Sequence, residues 1–171
     1  MNKEKIVIST VAVNKEIPYD LLLLSDDTIE AINKNLHQGE LFTAKIDNEI
    51  IGAFILKMID KDFIEIKNIA VPENQQGKGI GTVLLENIIQ ISIKRKFKNL
   101  VVGTCDLCKK EIKFYKKSGF EISGIRKNFF IDNYEAPIYE NGEQIKDMVM
   151  LSIDLRSNRV KSNEPSASYR Q

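Results

Sequence analysis

Apolar and polar positions divide this chain into short segments of two alternating periods. Residues 6–13 alternate weakly and predict a first strand. Pro18 opens a short helix over 19–24, since a proline is tolerated at a first turn. Ser25, Asp26 and Asp27 offer N-cap oxygens for a second helix reaching about Leu36, with Glu30 near its first turn and Gly39 after its end. Residues 41–46, 50–58 and 63–71 read as three strands. They are joined by the turn formers Asp47-Asn48-Glu49 and Asp60-Lys61-Asp62 and stopped by Pro72, so they predict an antiparallel meander. After a loop at 72–81, a helix is predicted over 80–94, with Val83, Leu84, Ile88 and Ile91 on one face. Residues 99–102 form a buried-looking strand, and 109–117 a second amphipathic helix closed by Ser118-Gly119. Residues 120–131 and 145–155 alternate as a last pair of strands around an insert carrying Pro137 and Asn141-Gly142.

The resulting order, β-α-α-β-β-β-α-β-α-β-β, predicts an α/β (α+β) domain over residues 1–155. Its sheet is mixed, mostly antiparallel and six- to seven-stranded, with about four helices on its faces. Residues 156–171 carry almost no apolar side chain after Val160 and are expected to form a flexible tail.

Composition narrows the function classes. The 171 residues suit one domain, and 43% hydrophobic with 29% charged residues is the balance of an ordinary soluble protein. The 25 basic and 24 acidic residues nearly cancel, which argues against a nucleic-acid partner; Lys94-Arg95-Lys96 reads as a solvated helix end. No apolar run is long enough to span a bilayer, and the N-terminus lacks the features of a signal peptide. A cytoplasmic protein without a membrane partner is expected. Cys105 and Cys108 form a Cys-x-x-Cys pair. Zinc would need further ligands, yet the sequence holds no other cysteine and one histidine, His37, which reads as a surface residue beside a glycine turn. No metal is expected. A redox role stays open because the strand at 100–102 precedes the pair; burial as small hydrophobes is the alternative.

The candidate chemistry sits in Gln76-Gly77-Lys78-Gly79-Ile80-Gly81. Three glycines between a strand and a helix let the backbone approach a ligand, and the following helix presents its positive end, so an anion is expected there. Lys78 adds a point charge at the rim. The spacing does not fit a P-loop, and the strand before it belongs to a meander rather than a βαβ unit.

The same segment fits Q/R-x-x-G-x-G/A, the cofactor signature of the GNAT acetyltransferase superfamily. Asn68-Ile69-Ala70-Val71-Pro72 resembles that family's fourth strand and its exit, and Phe114-Tyr115-Lys116-Lys117-Ser118-Gly119-Phe120 resembles its later Y-x-x-x-G-F motif. The resemblance covers the chain up to about Leu155. Pro18 to Leu24, Phe129-Phe130 through Tyr134, and Ile138 to Gly142 with Asp147-Met148 are similar to a bacterial branch, the YvbK-like acetyltransferases.

This resemblance implies acetyl-CoA as cofactor. Ile69, Ala70 and Val71 would bind its pantetheine arm through backbone groups, one N–H polarising the thioester carbonyl. The loop from Gln76 through Gly77, Lys78, Gly79, Ile80 and Gly81 to Thr82 would hold the pyrophosphate. Cys108 stands where many members carry a cofactor-bonding asparagine, and a thiol replaces that amide poorly. Tyr115 would protonate the leaving thiolate. Glu65 stands where one branch places its base, and strand parity groups Glu65, Lys67, Ile69 and Val71 on one face, opposite Ile64, Ile66 and Ala70. A water relay is the alternative base, since the fifth-strand position that another branch fills with glutamate is Gly103.

For the acceptor, Tyr19, Asp20, Tyr134 and Tyr139, with Asp26, Asp27, Glu135 and Glu140, offer acidic and aromatic groups that suit a cationic amine. A small primary amine and a peptide or protein amine both remain open. A catalytically inactive CoA-binding sensor or partner-binding module is the alternative to an enzyme, and a homodimer through a sheet edge is compatible with this fold.

Overall fold

The meander forms as the spacing predicts and continues into a larger sheet. The structure is a computed structural model, and it describes residues 6–12 and 15–157. Strand β1 (Val7–Thr10) is followed by helices α1 (Tyr19–Leu22) and α2 (Ile29–Gln38), and then by β2 (Glu40–Ile46), β3 (Glu49–Met58) and β4 (Phe63–Ala70). A 3-10 turn, Glu73–Gln75, leads to α3 (Ile80–Lys94), β5 (Asn99–Cys105), α4 (Lys109–Lys117), β6 (Glu121–Arg126), α5 (Phe129–Asn133), a hairpin β7 (Tyr139–Glu140) and β8 (Glu143–Gln144), and β9 (Met148–Asp154). Seven strands make one sheet in the order β1-β2-β3-β4-β5-β9-β6, and its one parallel pair is β4–β5.

Each face of the sheet is covered by helices. On one side Ile64, Ile66, Leu84, Leu85, Ile88, Tyr115, Phe120 and Leu151 belong to a single buried cluster fed by α3 and α4. On the other, Leu22 and Ile32 from α1 and α2 pack on Leu41, Ala53 and Ile55. The buried positions of α3, Ile80, Val83, Leu84, Leu85 and Ile88, recur at helical spacing, so burying that stripe holds the helix on the sheet.

Four elements differ from those expected. The N-cap of α2 is Thr28, whose hydroxyl accepts from the Ala31 N–H at 3.1 Å, rather than Ser25, Asp26 or Asp27. The expected strand over 120–131 ends at Arg126. There Asn128 turns through a left-handed backbone (φ 56°), and the Asp147 carboxylate accepts both from the Asn128 N–H at 2.9 Å and from Lys127 Nζ at 2.6 Å, starting α5 instead. The insert is itself a hairpin, turned at Asn141-Gly142 with φ of 49° and 84°. The first strand is shorter than expected, and Val13, at its expected end, lies outside the described residues. Of the expected tail, Arg156 and Ser157 are held against Asp154 by hydrogen bonds from the Arg156 N–H and guanidinium and from the Ser157 hydroxyl; 158–171 lie outside the described residues.

Candidate functional site

Strands β4 and β5 pair over Phe63–Ile66 and Asn99–Val102 and then part. Beyond Ile66, β4 keeps β3 on its other edge, but among the described residues no strand faces Lys67 to Ala70 on the β5 side, which leaves backbone groups there turned into a gap. The gap opens into a groove of about 560 Å3. Its walls include Ile69, Ala70 and Val71 from β4 and its exit, Gly103 and Thr104 from β5, and Phe114 and Tyr115 from α4.

One end of the groove is closed by the glycine turn. Gly77 and Gly79 take φ of 73° and 82°, and a Cβ at either would meet nothing within 4 Å, so these positions are glycine for backbone conformation alone. Gly79 is the N-cap of α3, and no side chain caps that terminus. The first N–H groups of α3 are therefore available to an anion, with the positive end of the helix behind them. The Gln76 amide ties the turn to the end of β4, donating to Val71 O at 3.0 Å. Gln76, Gly77 and Gly81 line the groove. Lys78 instead donates to Gln75 Oε1 at 3.2 Å, Ile80 is buried in the core, and neither Gly79 in the turn nor Thr82 in the first turn of α3 walls the groove.

Tyr115 is buried on α4, its ring against Phe114 and Phe120 at centroid distances of 5.2 and 5.6 Å. Burial, with the Glu111 carboxylate adding to it, pushes its phenol well above the usual range. A phenol in that state stays protonated at neutral pH.

The parity expected of β4 does not hold. Ile55 pairs with Asn68 but Leu56 pairs with Ile66, so Lys67 is an extra residue in a β-bulge that reverses the alternation after it. Ile69 and Val71 consequently pack against the same cluster as Ile64 and Ile66, not opposite them. Glu65 is 4% exposed, lies 3.5 Å from Lys67 Nζ, and lines neither the groove nor the cleft described next.

A second cavity of about 530 Å3 adjoins the groove on the α2 side. Tyr134, Tyr139, Phe129 and Phe130 give it an aromatic wall, and Asp26, Asp27 and Glu140 give it acidic groups. Burial and then the neighbouring Asp26 raise the Asp27 carboxyl. Of the expected acceptor residues, Tyr134 and Tyr139 are brought together here. Tyr19 and Asp20 line a different cavity near β1, where the Tyr19 hydroxyl donates to Asn33 Oδ1 at 2.7 Å.

A polar network with no signature in the sequence joins the cavities. Tyr134 Oη donates to Asp26 Oδ1 at 3.0 Å, and Asn35 Nδ2 donates to Asp26 Oδ2 at 3.2 Å and to Asn68 Oδ1 at 2.9 Å. Asn68 Nδ2 in turn donates to Ser25 Oγ at 3.1 Å. Asn35 and Asn68 are both buried, and the bulge at Lys67 is what turns Asn68 toward α2.

Cys105 and Cys108 form a disulfide between the end of β5 and the start of α4. Both line the acidic, aromatic cleft rather than the groove along β4, so Cys108 is not brought to the expected cofactor contacts.

Comparison with known proteins agrees with this architecture. The model of the acetyltransferase (GNAT) family matches residues 10–120. The chain is 36% identical over 155 residues to an uncharacterized N-acetyltransferase, YvbK, of Bacillus subtilis (strain 168), covering 91% of this chain and all of that one. A GNAT family acetyltransferase from Elizabethkingia anophelis, solved with acetyl-CoA bound, superposes with a TM-score of 0.85 at 45% identity, over 88% of this chain and 99% of that one. A Bacillus subtilis acetyltransferase solved in complex with CoA gives a TM-score of 0.79 at 35% identity over the same shares.

Proposed function

Because the chain belongs to the GNAT acetyltransferase family, we propose that it moves the acetyl group of acetyl-CoA to a cationic primary amine by direct attack. It is an acyltransferase and acetyl-CoA is its donor substrate, as the relatives bound to acetyl-CoA and CoA support. The observation that carries the reading is the parting of β4 and β5 after Ile66 and Val102, with a glycine turn at one end of the gap and Tyr115 on its wall.

The residues fit that donor. The free edge of β4 from Lys67 to Ala70 offers an extended arm the backbone partners that a neighbouring strand would otherwise take. The turn at Gly77 and Gly79 and the uncapped start of α3 receive a pyrophosphate. Tyr115, on the groove wall, delivers its proton to the departing sulfur. The acceptor enters from the cleft walled by Tyr134, Tyr139, Asp26 and Asp27, where carboxylates pair with an ammonium group and aromatic faces attract it. For proton removal, the position of Glu65 outside both cavities favours water over that carboxylate.

The test is titration of acetyl-CoA by calorimetry together with thiol release across polyamines, aminoglycosides, amino acids and short peptides. Binding with release on at least one cationic amine is expected. Tight binding without release on any class would make the chain a CoA-binding sensor instead.

A further inference from the structure

Six residues line both the groove and the acceptor cleft: Leu24, Ser25, Lys67, Gly103, Thr104 and Glu111. An amine arriving through one cavity meets an acyl group lying in the other at this join. Only Glu111 among the six has a carboxylate that can accept a proton from an ammonium ion. Lys67 is a cation, and the Ser25 hydroxyl is committed, donating to Leu22 O at 2.8 Å while accepting from Asn68. Strand β5 supplies no acid at the join, where it carries Gly103 and Thr104.

Glu111 also has the right neighbour. It stands in the first turn of α4, exposed, four residues before Tyr115, so the two side chains share one side of the helix. Its charge reaches the Tyr115 phenol, which it helps to keep protonated.

Resting on the acetyl-transfer reading above, we propose that Glu111 is the catalytic base, taking the ammonium proton of the acceptor directly or through one water. The N–H bond of the ammonium breaks and its proton goes to the Glu111 carboxylate. The freed lone pair forms the N–C bond to the acetyl carbon, and the C–S bond breaks with its electron pair left on sulfur. Tyr115 gives its proton to that sulfur, and the second ammonium proton is lost to water once the amide has formed. Solvent then takes the proton from Glu111 and restores that of Tyr115. One helix thus carries both proton-transfer groups, one at each end of the reacting bond system.

Two aromatic probes separate this role from a structural one. Benzylamine arrives protonated at neutral pH and needs a base; phenylhydrazine arrives with its terminal lone pair free and does not. Glu111→Gln is expected to lower kcat/KM for benzylamine by about 100-fold. The same variant should stay within about threefold of wild type for phenylhydrazine, because that acceptor bypasses the base. Glu111→Asp should recover part of the benzylamine rate, and the acetyl-CoA dissociation constant of both variants should be that of wild type. An equal loss on both probes, or no loss on benzylamine, overturns the assignment. Wild-type protein that binds acetyl-CoA but releases thiol with neither probe and with no amine of the panel above overturns the acetyl-transfer reading instead.

Discussion

Replacing Asn68 by Ala tests whether the buried network between the bulge and the acceptor cleft is a structural unit. The side chain is 2% exposed and makes two well-formed bonds, accepting from Asn35 Nδ2 at 2.9 Å and donating to Ser25 Oγ at 3.1 Å; its contact with Asp26 Oδ2, at 3.5 Å, is at the limit of hydrogen bonding. Removing it leaves one N–H of the buried Asn35 amide without an acceptor, which costs about 1–3 kcal/mol. Loss of the Ser25 bond adds about 1 kcal/mol, because that hydroxyl keeps its bond to Leu22 O. The expected total is about 3 kcal/mol, or about 6–12 °C in Tm for a chain of this length. Urea unfolding followed by circular dichroism measures it, and the KM of the best acceptor should rise because Asp26 and Tyr134 lose their anchor. Asn68→Asp adds a sign. Its carboxyl would face Asp26, raising the folded pKa of the pair above its unfolded value, so the deficit should be full above the folded pKa and shrink as pH falls through it. A cost below about 1 kcal/mol for the alanine variant, with acceptor KM unchanged, would refute the coupling.

Other measurements bear on separate parts of the site. Tyr115→Phe should lower kcat by about 10- to 100-fold with little change in acetyl-CoA affinity, read by stopped thiol release and calorimetry. Gly77→Val forces a β-branched residue to φ 73°, a strain of about 1–2 kcal/mol, and should weaken acetyl-CoA binding more than it affects the acceptor. Reducing the Cys105–Cys108 disulfide should leave the acetyl-CoA dissociation constant unchanged, since both residues line the acceptor side. Asp147→Asn removes the carboxylate that Lys127 and the Asn128 N–H hold below the usual range. It should loosen α5 and raise acceptor KM while leaving the donor titration intact.

How far the sequence reached depended on whether a signal was local. Helices α3 and α4 were legible to the residue because each has its own apolar stripe and its own punctuation, a glycine turn before one and Ser118-Gly119 after the other. The walls of the groove along β4 were within reach of the sequence for the same reason: the segment from Asn68 to Val71 and the glycine turn follow one another closely in the chain. The bulge at Lys67 was not, because one extra residue in a strand leaves no compositional mark while reversing every side chain after it. That single slip explains two misreadings at once, the face assigned to Ile69 and the silence about Asn68, whose partners lie 33 and 43 residues away in sequence. The break of the last strand pair at Asn128 depends on Asp147, 19 residues further on, and is invisible to alternation in the same way. The acceptor side gathers its wall from the segment before α2, from α5 and from the β7–β8 hairpin, so its chemistry exists only after the sheet has formed. Glu111 is the limiting case. Read along the chain it is a first-turn glutamate that suits the helix dipole, and only the meeting of two cavities at its side chain gives it anything else to do.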